Sequence, residues 1–321
     1  MNRKILQAGP ATLAVSLPRE WVKRFSLKKG QELVVELHAN SLLIKTKSEI
    51  KEDNSTINIS ALHPISTKLI GMLYKAGYKR IKAVYTPNKS VIHRSKSVKE
   101  IDMIRNTFDH LIGMQLWDLG NQKGEYYAVA VESAKVDPKE FDHVFNRLYL
   151  HLIHQAEQVY DALAHNKDIF DEAYLAERLI NQTADFCTKI VISFGHEDYK
   201  KTIHYYDFIS KLESVGDKYF HIVEYYHKNR RKVDKNIIDC LKQSMSLIKE
   251  SVSLYRKFDY QKIILLTREI DSNLKEYENR IQSGTIRGTL FSYYAYSILA
   301  EIYEIVEILF FLNNECFKNN F

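Results

Sequence analysis

The chain has 321 residues, 45% of them apolar, with 46 Lys or Arg against 40 Asp or Glu for a formal net charge of +6. That length and apolar share indicate a globular protein of two or three domains. No run reaches the roughly 18 apolar residues that a membrane span needs, because Phe291 to Leu312 is broken by Glu301, Glu304 and Glu307.

Residues 3–46 begin with a short apolar strand pattern at Ile5 and Leu6, break at Gly9-Pro10 and resume with Leu13, Val15 and Leu17 in strand alternation. Pro18 suits a first helical turn, so Pro18 to Phe25 reads as a short helix, left through Lys28-Lys29-Gly30. Glu32 to Leu37 and Ser41 to Thr46 read as strands joined through His38-Ala39-Asn40, with a positive φ expected at Asn40. The unit is hairpin, helix, hairpin. Residues 1–47 carry nine Lys or Arg against three carboxylates, a net of +6 equal to that of the whole chain. A basic excess confined to one small module is an electrostatic footprint for phosphate backbones, with an ordinary solvated surface as the bland alternative.

The residues Arg3-Lys4, Gly9, Thr12-Leu13, Val15-Ser16-Leu17-Pro18, Glu20-Trp21 and Leu27-Lys28-Lys29-Gly30 resemble the AbrB-like swapped-hairpin domain in its archaeal form. The resemblance implies an intertwined homodimer that presents basic side chains to double-stranded DNA, carried over here onto Arg3, Lys4, Lys23 and Arg24; the basic Arg19, Lys28 and Lys29 of the same module join them as candidate DNA-binding residues. The position after the loop glycine, Arg in many members, is Pro10. About 45 residues seldom bury enough surface to fold alone, which also favours a dimer.

A polar stretch at Ser48 to Ser55 separates this domain, 1–47, from a small α/β unit at 56–135. Ile57 to Ile59 is a candidate strand, and Pro64 to Lys75 reads as a helix with Ile65, Leu69, Met72 and Leu73 on one side, stopped by Gly77. Arg80 to Tyr85 reads as a strand, Ser97 to Leu116 as a helix through Ile101, Ile104, Phe108, Leu111 and Ile112, and Tyr126 to Val131 as a strand. No phosphate loop or nucleophile stands out, and the unit reads as a structural connector.

All five prolines lie at or before Pro138, after which only Gly195, Gly216, Gly284 and Gly288 occur, so residues 137–321 should be all helix. Polar breaks at 165–167, 195–198, 228–234, 258–260 and 283–285 leave six helices, grouped as 137–230 and 233–321. Such short loops make neighbours antiparallel, giving two three-helix bundles side by side.

On the third of these helices Glu213, Asp217 and His221 fall at i, i+4 and i+8, one face on which oxygen and nitrogen donors could hold a divalent cation or iron. Gly216 between them costs helix stability and invites a packing or ligand-approach explanation. The string Leu212-Glu213-Ser214-Val215-Gly216-Asp217 resembles the Leu-Glu-x-x-Gly-Asp motif of PhoU-like proteins, whose fold is two three-helix bundles. That resemblance implies metal ligation by Glu213 and Asp217 and a part in regulating phosphate uptake, with a phosphate-transporter ATPase or a sensor kinase as possible partner. The matching positions of the sixth helix hold Ala300 and Glu304, a decayed copy. Glu177 and Asp185 of the second helix are candidates to complete the first site. His151 and His154 near Glu157 form a weaker metal face, and the many tyrosines read as packing residues.

The expected protein is a DNA-binding homodimeric regulator of phosphate homeostasis with a helical sensor. A non-DNA adaptor that dimerises through its hairpins is the alternative. No nucleophile–base pair is spelled out, so no enzymatic activity is expected. Cys187, Cys240 and Cys316 show no metal-ligand spacing, Gln7, Gly9, Pro10 and Thr12 disfavour a signal peptide, and the expected location is the cytoplasm.

Overall fold

The computed structural model describes residues 2–38, 41–46, 53–60, 62–93, 96–196, 198–230 and 232–313. The chain divides into two compact units, Met1–Glu52 and Asp53–Phe321.

In the first unit β1 (Ile5–Gly9) pairs antiparallel with β2 (Thr12–Val15), α1 spans Arg19–Arg24, and β3 (Leu33–His38) pairs antiparallel with β4 (Ser41–Thr46). This is the hairpin, helix, hairpin order of the sequence reading; Ala39 and Asn40, and with them the expected positive φ, lie outside the described residues, as does Lys47. Pairing of Val35 with Ile44 and of Leu37 with Leu42 gathers one face of the second hairpin from apolar side chains, and Ile5, Leu13 and Val15 share a face of the first. Among the described residues, none of these apolar side chains is buried.

The second unit opens with a four-stranded sheet in the order β5 (Asn54–Asn58), β6 (Arg80–Tyr85), β10 (Glu125–Glu132), β9 (Met114–Gln122), parallel between β5 and β6 and antiparallel elsewhere. Alternation sends Ile81, Ala83, Ala128 and Ala130 to one face, where they meet Ile70 and Tyr74 of α2 (Ser66–Lys75) and Met103, Ile104 and Phe108 of α3 (Glu100–His110). A small hairpin of β7 (Ser90–His93) and β8 (Lys96–Lys99) precedes α3.

Two sequence expectations need correction here. The apolar spacing through Ile112 suggested a helix over 97–116, yet α3 stops at His110, because Gly113 takes φ +78° and turns the chain into β9, where Leu116 pairs with Ala130. On α2 the buried side is Ile70 and Tyr74, while Ile65 and Met72 are exposed.

Six helices follow: α4 (Phe141–Ala164), α5 (Phe170–Phe194), α6 (Tyr199–Asn229), α7 (Lys235–Arg256), α8 (Tyr260–Gln282) and α9 (Leu290–Leu312). Asp198, Asp234, Asp259 and Thr289 each accept a backbone N–H at the start of the helix that follows, which fixes those ends at the polar breaks. α4, α5 and α6 pack on one another, α7, α8 and α9 likewise, and α6 runs along α9 and α4 along α7 over one continuous apolar core. Tyrosines serve that core: Tyr149 and Tyr255 surround Phe145 and Phe208 in edge and tilted contacts. Cys187 and Cys240 are buried free thiols, with their pKa values pushed up to about 12 by burial.

The sheet layer sits on the helices through α2 against α5, with Phe186 touching both cores. At this junction Lys189 Nζ lies 2.7 Å from Glu132 Oε1 and 4.4 Å from the centre of the Tyr74 ring. The sequence boundaries 56–135 and 137–321 both fall within this one unit. No helix among the described residues is long and apolar enough to cross a membrane.

Candidate functional site

Two groups of side chains carry recognisable chemistry, one in each unit. In the first, Pro18 at the N-cap position holds φ −60° and ψ 130°, Glu20 sits in the first turn of α1 and Lys23 and Arg24 in the last, the order the helix dipole favours. Ser26 at φ +50° ends the helix, with Ser26 N–H donating to Lys23 O and Leu27 N–H to Val22 O. Lys28 and Lys29 occupy a tight turn closed by Lys28 N–H to Gln31 Oε1 at 3.1 Å and opened at Gly30, φ +84°. Arg3 and Lys4 lead into β1. All seven predicted basic residues, Arg3, Lys4, Arg19, Lys23, Arg24, Lys28 and Lys29, are exposed. A surface of this kind releases counterions when it meets a polyphosphate backbone.

The second group lies between α5 and α6. Burial first, and then the field of Asp185, push the Glu213 carboxyl up to about 7; Asp217 and Glu177 push the same way and Lys75 opposes them. The carboxyls of Asp217 on α6 and of Glu177 and Asp185 on α5 are thus near enough to act on Glu213. Lys75, the last residue of α2, reaches over from the sheet layer to place its Nζ 2.9 Å from Asp185 Oδ1. Burial lowers the affinity of Lys75 for its proton, but Asp185 and then Glu213 more than restore it, and the lysine stays charged. Asp185, itself sunk in the junction, is shifted up by burial further than Lys75 pulls it down. Gln155 of α4 is fully buried, and among the described residues neither of its amide atoms has a hydrogen-bond partner. A Cβ on Gly216 would meet Ile180 at 3.1 Å and Gln155 Oε1 at 3.4 Å, so the glycine lets α4 and α5 approach α6 closely.

His221, the third predicted ligand, turns elsewhere: its Nδ1 lies 3.5 Å from Glu224 and its ring stacks on Tyr294 of α9. On the opposite side of α6, Glu301 accepts from Ser214 Oγ at 3.1 Å and Lys218 Nζ at 3.0 Å, and pairs with Lys211. Lys211 also pairs with Glu304. Burial alone would raise Glu301; Lys218 and Lys211 hold it low instead. Glu157 pairs with Lys249 at 2.6 Å, and His151 carries a buried, unpartnered Nε2 and a pKa lowered first by burial and then by Arg147 and His154.

Among the described residues no three His, Cys, Asp or Glu side chains stand as a ready metal cage. Glu177, Asp185 and Asp217 act on Glu213 through their fields, and Asp185 is the member that Lys75 pairs with directly. Lys75 was not readable as part of this group, since nothing near it in sequence marks it.

Residues 7–52 match the MazE bacterial antitoxin family, described as antidote–toxin recognition. The MazE-like segment therefore runs from within β1 through β2, α1, β3 and β4 to residue 52, and the remaining residues fall outside it. No curated protein and no solved structure matched the chain.

One consequence of the carboxylate group is a pH dependence. A carboxyl whose pKa is near 7 in the fold and 4.5 otherwise binds more protons folded than unfolded between those values, so stability falls as pH rises through that window. The loss reaches up to about 3 kcal/mol. Melting temperatures at pH 5 and pH 7 should differ in that sense, and Glu213→Gln should flatten the difference.

Proposed function

We propose that the chain is a homodimeric DNA-binding regulator whose helical part senses a divalent cation, or the phosphate status linked to one, in the manner of PhoU-like proteins. The observation that carries this reading is the first unit: a MazE-like hairpin, helix, hairpin that exposes both its apolar sheet faces and seven Lys or Arg side chains. Apolar faces without cover favour a second copy, and a concentrated positive surface favours a phosphate backbone. The pairwise packing of α4 to α6 and of α7 to α9 supports two three-helix bundles, and the carboxylates at Glu213 and Asp217 support the sensor.

The test is fluorescence anisotropy of the full chain with duplex DNA at two salt concentrations, beside Lys23→Ala/Arg24→Ala. Wild type should bind tightly at low salt and lose affinity steeply as salt rises. The double substitution should weaken binding to all sequences and lower the salt slope by up to about 4 per dimer. Absence of binding at low salt would end the DNA reading and leave a dimeric adaptor for a transporter ATPase or sensor kinase. The antitoxin description of the MazE family favours one variant of the same reading, in which a protein partner docks on the dimer; that partner would change the anisotropy of a DNA complex already formed.

A further inference from the structure

We infer that the groove between α7 and α8 is a binding site for a small zwitterion of the α-amino-acid class, its carboxylate held by Asn273, Tyr277 and Arg280 and its ammonium by Asp239. The inference concerns the last three helices alone and stands apart from the DNA and cation readings above.

The groove follows from spacing along two helices. Asn273, Glu276, Tyr277 and Arg280 fall at i, i+3, i+4 and i+7 on α8, and Asp239 and Gln243 at i and i+4 on α7, so each helix contributes one face. Together these six residues line a cavity of about 260 Å³. That is just below the size of a site for a drug-sized molecule, and it suits an occupant no larger than an amino acid.

The two walls differ in chemistry. On α8, Tyr277 is only 4% exposed, and among the described residues neither its hydroxyl nor Asn273 Nδ2 has a hydrogen-bond partner. Burial, and then the fields of Cys240 and Asp234, push the Tyr277 pKa up, so the hydroxyl keeps its proton and can donate it. Arg280 adds positive charge to this wall: its Nη1 donates to Asn236 Oδ1 at 3.2 Å and its Nη2 pairs with Glu276. A guanidinium has five N–H donors, more than those two contacts use. On α7, Asp239 is exposed and has no hydrogen bond or ion pair among the described residues, and Gln243 is exposed beside it.

Donors on one wall and a carboxylate on the other call for a molecule with an anionic end and a cationic end. A phosphate or nucleotide meets Asp239 and Glu276 as like charges, a bare metal ion leaves the Tyr277 and Asn273 donors without an acceptor, and an apolar molecule leaves all of these groups unpaired. An α-amino acid answers both walls through charge-assisted hydrogen bonds. α8 packs more on α9 than on α7, so an occupant that touches both walls ties α8 to α7.

The test screens the full chain against each common L-amino acid in millimolar excess by differential scanning fluorimetry. The amino acid with the largest shift is taken to isothermal titration calorimetry, beside its decarboxylated amine and its N-acetyl derivative, which lack the anionic and the cationic end. Asp239→Asn, Tyr277→Phe and Gln243→Trp are the variants. The amino acid should raise the melting temperature of wild type, and both derivatives should bind on the order of 10-fold or more weakly. Asp239→Asn should weaken binding by on the order of 10-fold and Tyr277→Phe by about 5-fold. Gln243→Trp, which fills the groove, should abolish it. Without amino acid, Tyr277→Phe should melt no lower than wild type, because the hydroxyl it removes has no partner among the described residues. Equal binding of the decarboxylated amine overturns the zwitterion and makes the occupant an organic cation. Binding untouched by all three variants puts the amino acid elsewhere on the chain and overturns the site, as does the absence of any shift with every amino acid.

Discussion

Leu13→Asp/Leu37→Asp is expected to turn a dimer into a monomer and to abolish DNA retention, while the helical content of the chain stays in place. Leu13 is 71% exposed and Leu37 81% exposed, and each belongs to an apolar hairpin face with Ile5 and Val15 or with Val35, Leu42 and Ile44. Burying such a side chain is worth about 1.5–3 kcal/mol. A unit of this size that leaves these faces open has little else to hold it, and in the proposed dimer the second copy would supply the core. Two aspartates in each chain place four carboxylates in that core, and each unpaired buried charge costs several kcal/mol. Dimer affinity should fall by on the order of 10³-fold or more, read by light scattering on a sizing column at micromolar concentration. Asp53–Phe321 has its own two apolar cores, so far-UV dichroism should change little. A variant that stays dimeric at micromolar concentration would place the contact between copies somewhere other than these faces.

Much of this was legible in the sequence where the governing physics is local. Four of the six long helices, α6 to α9, begin at Asp or Thr caps beside the polar breaks, because capping and helix propensity act within a few residues. The strand over 80–85 was legible for the same reason, since Ile81 and Ala83 alternate with outward Lys82. The β7–β8 hairpin and β9 were not: Leu111, Ile112 and Leu116 continue a helical spacing past the real stop at Gly113, and only cross-strand pairing with β10 shows that Leu116 belongs to a sheet.

The candidate site divides the same way. Glu213 and Asp217 share a face by spacing along one helix, and His221 continues that spacing but drifts around the helix toward α9, where Tyr294 takes it. Glu177 and Asp185 enter through the packing of α5 on α6, which helix order suggests but does not determine. Lys75 comes from a different layer, and its part depends on how α2 docks on α5, a tertiary fact with no local trace. The basic residues of the first unit were readable as a concentration of charge, whereas the openness of its apolar faces emerges only once the strands are paired.

The junction between the sheet layer and the helices gives the other large expected effect: Lys189→Met should destabilise the second unit by about 3–5 kcal/mol, because removing one partner leaves a buried charge uncompensated. Lys189 and Glu132 are 3% and 12% exposed and 2.7 Å apart. The ammonium also faces the ring of Tyr74, which is itself fully buried and donates its hydroxyl to Ile112 O at 2.7 Å. Loss of the lysine leaves the Glu132 carboxylate, only 12% exposed, without that counter-ion. Lys189→Met/Glu132→Gln removes both charges and should recover most of the loss, since a buried pair can be replaced at little net cost even where a half-pair cannot. The exposed pair Lys79–Asp53, at 60% and 53%, supplies the contrast: Lys79→Ala should change stability by no more than about 1 kcal/mol. Urea midpoints for wild type and the three variants decide the matter. A double variant as unstable as Lys189→Met alone would mean that the lysine acts through its packing on Tyr74 and not through its charge, because only the charge account predicts that deleting a second group restores what deleting the first one lost.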